Sequence, residues 1–125
     1  MYVERHQVDL TTDASGDATG YTPVVTGRII AVAYVKDGTT PFADTVDFTI
    51  TSEVTTQNIW VEENVTASKT VAPRQATHST AGVASLYAAG GEPVEDHIVV
   101  ANERVKCVVA SGGDSKLGAF VVIVA

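Results

Sequence analysis

Three histidines, one cysteine and scattered carboxylates are the side chains of this chain that could carry chemistry. His6, His78 and His97 lie far apart, and none stands close in sequence to another histidine or a cysteine in the compact spacing that zinc sites favour. They predict surface or core imidazoles, not ligands. Cys107 lies in Arg104-Val-Lys-Cys-Val-Val-Ala110, where alternation puts Val105, Cys107 and Val109 on one face. A reactive thiol needs a positive, partly open pocket with a base at hand, so this cysteine is expected to be a small core hydrophobe. Ser85, in Gly82-Val-Ala-Ser-Leu86, lacks the second glycine of a nucleophile elbow.

The carboxylates point no further. Glu62-Glu63 and Glu95-Asp96 are the acidic pairs that a glycosidase would need, yet adjacency in sequence says nothing about their separation in space, and they are expected to be solvated surface. Asp13, Ser15 and Asp17 share the alternate-oxygen spacing of a calcium loop without its glutamate or remaining ligands. Gly112-Gly-Asp-Ser-Lys-Leu-Gly118 has the glycines of a phosphate loop but not its Gly-Lys-Ser/Thr ending, and it joins two apparent strands, so a hairpin turn is expected. Asn64-Val-Thr66 is a glycosylation sequon that matters only in an exported protein. Trp60, Tyr34, Tyr87 and Phe42 could form a platform for sugars or pack a core equally well. No catalytic, cofactor-binding or metal-ligating residue is predicted, and no cofactor.

The elements that would position these residues follow from composition. Val 21, Thr 16 and Ile 6 make 43 of 125 residues β-branched, against three Leu and one Met. Such side chains lose rotamer freedom in helices and pack well on pleated surfaces, which predicts an all-β chain and excludes a helical bundle. At this length one core fits and a second does not. Fifteen acidic and eight basic residues give a net charge of −7, which argues against nucleic acid or an anionic membrane as partner. The single cysteine forms no internal disulfide, and no signal peptide or membrane span is read, so a protein held by packing or by association with other chains, and assembled in a reducing cytoplasm, is expected.

Along the chain, residues 1–23 are expected to be an N-terminal arm or tether, in which Tyr2 to Leu10 is either an edge strand or an arm lying on a neighbour and the small polar stretch from Thr11 to Gly20 lacks any period that would drive burial. Residues 24–125 then form the domain. Val24 to Val35 is apolar on both faces, with Ile30, Val32 and Tyr34 on one and Ile29, Ala31, Ala33 and Val35 on the other. Thr45 to Thr51 alternates strictly, with Val46, Phe48 and Ile50 inward. These two are expected to pair as a long hairpin, and Arg104 to Val124 as another. Weaker strands are read at residues 58–63, 67–72 and 97–101, a bend at Asn102-Glu103, and a loop with one short strand near Leu86 over residues 74–93. About seven or eight strands with no helix between them predict an antiparallel β-sandwich, jelly-roll-like.

The run Thr26-Gly-Arg-Ile-Ile-Ala-Val-Ala-Tyr-Val-Lys-Asp-Gly38, then Phe42-Ala-Asp-Thr-Val-Asp-Phe-Thr-Ile-Thr51, Asn58-Ile-Trp60 and Ala101 to Gly118, resembles the small head-decoration, or cement, proteins of tailed bacteriophages. The likeness extends over residues 20–125, in strand and turn phrases without a catalytic fingerprint. It implies a non-enzymatic virion protein, a homo-oligomer such as a dimer or trimer, seated on the outside of the major capsid protein lattice. The alternative is a phage tail, baseplate or fibre component whose sandwich binds a host glycan; a cellular enzyme subunit is a third class, against which the missing site argues.

Overall fold

The computed structural model describes residues 2–125, leaving Met1 outside the described residues. Among the described residues the chain is all β, with ten strands: β1 Glu4–Thr11, β2 Ala18–Tyr21, β3 Val25–Lys36, β4 Asp47–Ser52, β5 Asn58–Glu62, β6 Lys69–Val71, β7 Arg74–Ala76, β8 Glu95–Glu103, β9 Val105–Ala110 and β10 Leu117–Val124. One sheet runs β1-β10-β3-β8-β7, with β6 beside the far half of β3; the other runs β2-β9-β4-β5. Ten strands exceed the expected seven or eight, β2 and β7 being the ones not expected; setting aside the short β6 and β7, the pairs β1/β10, β2/β9, β3/β8 and β4/β5 are the four rungs of one folded ribbon. Wrapping that ribbon lays β10 against β3 and β9 against β4. This is the winding of an eight-stranded jelly roll, which buries the inner faces of both sheets in a single core.

The winding overturns both expected hairpins. β3 and β4 lie in opposite sheets, and so do β9 and β10. Alternation fixes which face of a strand is apolar, but not which strand lies beside it. The β3–β4 connection crosses the end of the sandwich and drops Phe42 into it, stacked on Tyr34 at 5.9 Å. Gly118 makes room: a Cβ there would overlap the Phe42 ring. The expected bend at Asn102-Glu103 is present; Asn102, the penultimate residue of β8, adopts a left-handed conformation (φ 54°) just before the chain passes to β9 in the other sheet.

Of the two readings of residues 2–10 the edge strand holds, and the separate arm or tether expected over residues 1–23 is corrected. β1 pairs with β10 along its whole length, and β2 pairs with β9, so residues 4–21 supply an edge strand to each sheet and no domain boundary falls at 23/24. Val8 and Leu10 drive this by burying their side chains. They meet β2 where Gly20 lacks a Cβ, which would lie 2.5 Å from Leu10 Cδ2. The polar stretch between β1 and β2 is held by hydrogen bonds centred on the buried Thr12. Thr12 Oγ1 donates to the Gly113 carbonyl at 2.5 Å and accepts from the Lys116 N–H at 2.8 Å, while the Gly112 N–H donates to the Gly16 carbonyl.

Phe48 is the hub of the core, 4.8 Å from Phe120 and 5.4 Å from Trp60 edge to face, and 4.7 Å from Tyr34. Replacing it leaves a hole bordered by aromatic rings that cannot close over it. Phe48→Ala is expected to lower the unfolding free energy by about 3–5 kcal/mol in a denaturant titration; a loss under about 1 kcal/mol would show that the sheets close over the gap. Deleting residues 1–23 strips a strand from each sheet and should abolish cooperative thermal unfolding by circular dichroism. A cooperative melt of the remainder, near that of the full chain, would instead restore the tether.

Candidate functional site

The structure separates the sequence-derived candidates instead of gathering them. His6, on β1, has Nε2 3.1 Å from Glu4; His97, on β8, has Nδ1 3.4 Å from Asp96; His78 lies in the β7–β8 connection. Among the described residues, no group of three or more His, Cys, Asp or Glu side chains is placed to hold a metal ion. Glu62 and Glu63 do not act as a pair. Glu62 Oε1 accepts from Lys69 Nζ at 2.8 Å and from the Trp60 indole N–H at 3.2 Å, and Lys69 chiefly holds its carboxyl below the usual carboxylate range. Asp96 is lowered mainly by the adjacent His97 N–H, which it accepts at 2.7 Å.

The two loop motifs are structural. Asp13 Oδ1 accepts the N–H groups of Ser15 and Asp17, closing a turn with the oxygen that a cation would need. The backbone of residues 112–117 bonds to Gly16, Ala43, Thr40 and Thr12, so this phosphate-loop lookalike is a crossover between sheets, not the expected hairpin turn. Cys107 is fully buried on the inner face of β9, as expected, and burial pushes its thiol up to about 12. The sugar platform comes apart: Trp60, Tyr34 and Phe42 are core residues, and of the four aromatics Tyr87 alone is exposed. One buried carboxylate was not singled out from sequence. Glu103 accepts the N–H groups of Val54 and Thr55, capping the β4–β5 turn.

Apolar side chains held in the open mark the better candidates, because loop positions carried on a rigid scaffold are where binding concentrates. Residues 77–94 form a lobe between β7 and β8. Its frame is internal: the Thr77 N–H donates to the Val94 carbonyl, Ser79 N–H to Val83, Ser85 N–H to Thr77, Tyr87 N–H to Glu92 and Val94 N–H to Ser85. On that frame stand Val83, 65% exposed, Leu86, 43%, and Tyr87, 76%. Sequence reading found a loop here, but its alanines and glycines show no period that reveals which side chains stay outside.

The second surface is the outer face of the larger sheet. β10 and β3 pair Ala119 with Val35, Val121 with Ala33 and Ile123 with Ala31, all six on the face away from the core. β1 extends the same three rows with Asp9, Gln7 and Arg5. The register shift that pairs Val124 with Ile29 and Ile123 with Ala31 leaves Ile30 unpaired in the ladder. Ile29 therefore turns into the core while Ile30 does not, reversing the faces expected for that pair.

No protein-family model matches the chain, and no curated protein matches it. A comparison with solved structures found the crystal structure of FLHE, 15% identical, with a TM-score of 0.44, covering 99% of this chain and 96% of that one. No helix among the described residues is long and apolar enough to cross a membrane.

Burial of Cys107 has two measurable consequences. A thiol reagent at pH 8 is expected to label the native protein only as fast as it unfolds, whereas the denatured chain reacts at once. The folded thiol also titrates above its unfolded counterpart near 8.5, so the unfolded state binds fewer protons as pH rises past that value and stability falls, by up to about 1.4 kcal/mol per pH unit from this group. Cys107→Ala should be free of that component, so the stability gap between the two proteins narrows from pH 8 to pH 10. A constant gap, or immediate labelling, would mean that the thiol is open to solvent.

Proposed function

We propose that this chain is a non-enzymatic structural protein of a tailed-phage virion that decorates the outside of the capsid as a homo-oligomer bound to the major capsid protein. The reading rests on the resemblance over residues 20–125 together with one observation: the 77–94 lobe holds Val83, Leu86 and Tyr87 in solvent on a hydrogen-bonded frame. A preformed apolar contact loses little conformational entropy on binding, and an exposed aromatic beside a leucine has the makings of an anchor. The rigid jelly roll behind the lobe turns local contact into a brace. A protein that binds the assembled lattice and not its loose subunits adds its binding free energy to the lattice's resistance to opening, and many copies sum that effect.

The core position of Trp60, Tyr34 and Phe42 takes the aromatic platform away from the glycan-binding alternative. Mixing the purified protein with undecorated capsids, followed by gradient sedimentation and cryo-electron microscopy, tests the proposal. Copies occupying equivalent lattice positions, and a raised temperature of capsid disruption, are expected. Tyr87→Ala combined with Leu86→Ser should weaken capsid binding by about 2 kcal/mol or more, with the fold intact by circular dichroism. Density confined to the tail, or no density on any particle, would overturn the reading.

A further inference from the structure

The outer face of the larger sheet is patterned to pack against itself. Along β1 its outward residues are Arg5, Gln7 and Asp9, a cation and an anion equidistant from a neutral centre. Along β10 the matching residues are Ile123, Val121 and Ala119, and along β3 Ala31, Ala33 and Val35. Each row set thus runs from one character to its complement about the Gln7–Val121–Ala33 row: positive to negative, large to small, small to large. We propose that two copies of this chain pack these faces together about a two-fold axis lying along that central row.

The geometry follows from the axis. A two-fold axis in the sheet plane, perpendicular to the strands, leaves the central row over itself and exchanges the two flanking rows. One copy's Arg5 then lies over Asp9 of the other, Ile123 over Ala119, and Val35 over Ala31, with Val121 meeting its own copy at the centre. Each contact occurs twice, as an isologous interface requires, and large residues face small ones, as stacked sheets about 10 Å apart require. A groove of about 390 Å³ already marks the Asp9 end of the face, with Gln7, Asp9, Val35, Lys36, Asp37 and Ala119 in its lining. Ile123 and Arg5 of the second copy are the side chains that the axis brings to that groove. β3 repeats the charge pattern, with Arg28 outward near one end and Asp37 just past the other.

The inference deepens the homo-oligomer part of the proposed function and is independent of what the lobe binds. Sedimentation equilibrium of the full chain at roughly 10 to 100 μM is expected to show a dimer. Arg5→Asp and Asp9→Arg, made singly, each set like charges over one another at two symmetric places and should weaken dimerisation by about tenfold or more. The double variant restores opposite charges in exchanged places and should recover the dimer; loss of fold in any variant would show in its circular dichroism and is answered by Val121→Asp, which sets two carboxylates together at the axis from an outward position. A monomer across this range overturns the inference, as does an oligomer indifferent to all of these changes, which would assemble through another surface. Capsid binding by a strictly monomeric protein would sink the dimer and leave the lattice contact standing, while a dimer that binds no particle would do the reverse.

Discussion

The two sheets stay together because Phe48 from one and Phe120 from the other meet edge to face across the gap, with Tyr34 and Trp60 closing around them. This contact depends on the winding, since β4 and β10 are brought together only when the folded ribbon wraps. The winding depends in turn on the crossovers that let the chain change sheets: the Phe42 connection over Gly118, the left-handed residue at Asn102, and the 11–17 loop tied to the 111–116 loop. Removing the aromatic hub would leave the crossovers intact but nothing for them to enclose. With no disulfide and a single core, the fold relies on this packing.

Much of that architecture is legible in the residues themselves. Val46, Phe48 and Ile50 alternate inward, Val105, Cys107 and Val109 do the same, and the structure buries all six. What stays hidden is of two kinds. Strand partners depend on contacts far apart in sequence, which is why two hairpins that look natural along the chain do not exist. Polar segments that find their order through backbone hydrogen bonds carry no hydrophobic signal, so residues 11–20 look like a tether and turn out to be a crossover over residues 12–17 that leads into the paired strand β2. A single unpaired residue in a ladder is equally silent: Ile29 and Ile30 exchange faces because of one register shift. The lobe failed to show for the same reason as the crossover, and its exposed Val83, Leu86 and Tyr87 cannot be told from core residues by type.

Exposed apolar surface is a hazard that this chain offsets in a specific way. The free edge of β1 carries Glu4, Arg5, His6 and Asp9, charges and a polar ring that discourage a stray strand from adding to the sheet. The net charge of −7 keeps copies apart at long range. Both devices act on unspecific encounters. A face that presents its cations and anions at mirrored positions escapes them only in the one relative orientation that matches each charge with its opposite, so general repulsion and local complementarity together select a single geometry.

The lobe and the outer face are structurally separate uses of one scaffold. β3 has twelve residues and β8 covers only part of its length, so β6 fills the remaining edge, and the chain returns to β8 through β7 and the lobe. The lobe is thus an excursion from the ribbon that disturbs none of its four rungs, and the outer face of β1, β10 and β3 is a surface of those rungs. A pair formed through the face would carry two lobes at a fixed separation set by rigid sheets. On a repeating lattice, the second lobe would then bind at an effective concentration fixed by geometry and not by bulk protein, which can raise overall avidity by orders of magnitude when the spacing matches the repeat and contributes nothing when it does not. A weak contact on each lobe would therefore suffice for firm attachment to an assembled shell while leaving free subunits nearly unbound. That distinction between lattice and loose subunit is what a protein bracing a finished structure requires, and here it would arise from the spacing of two modest contacts, without either being strong.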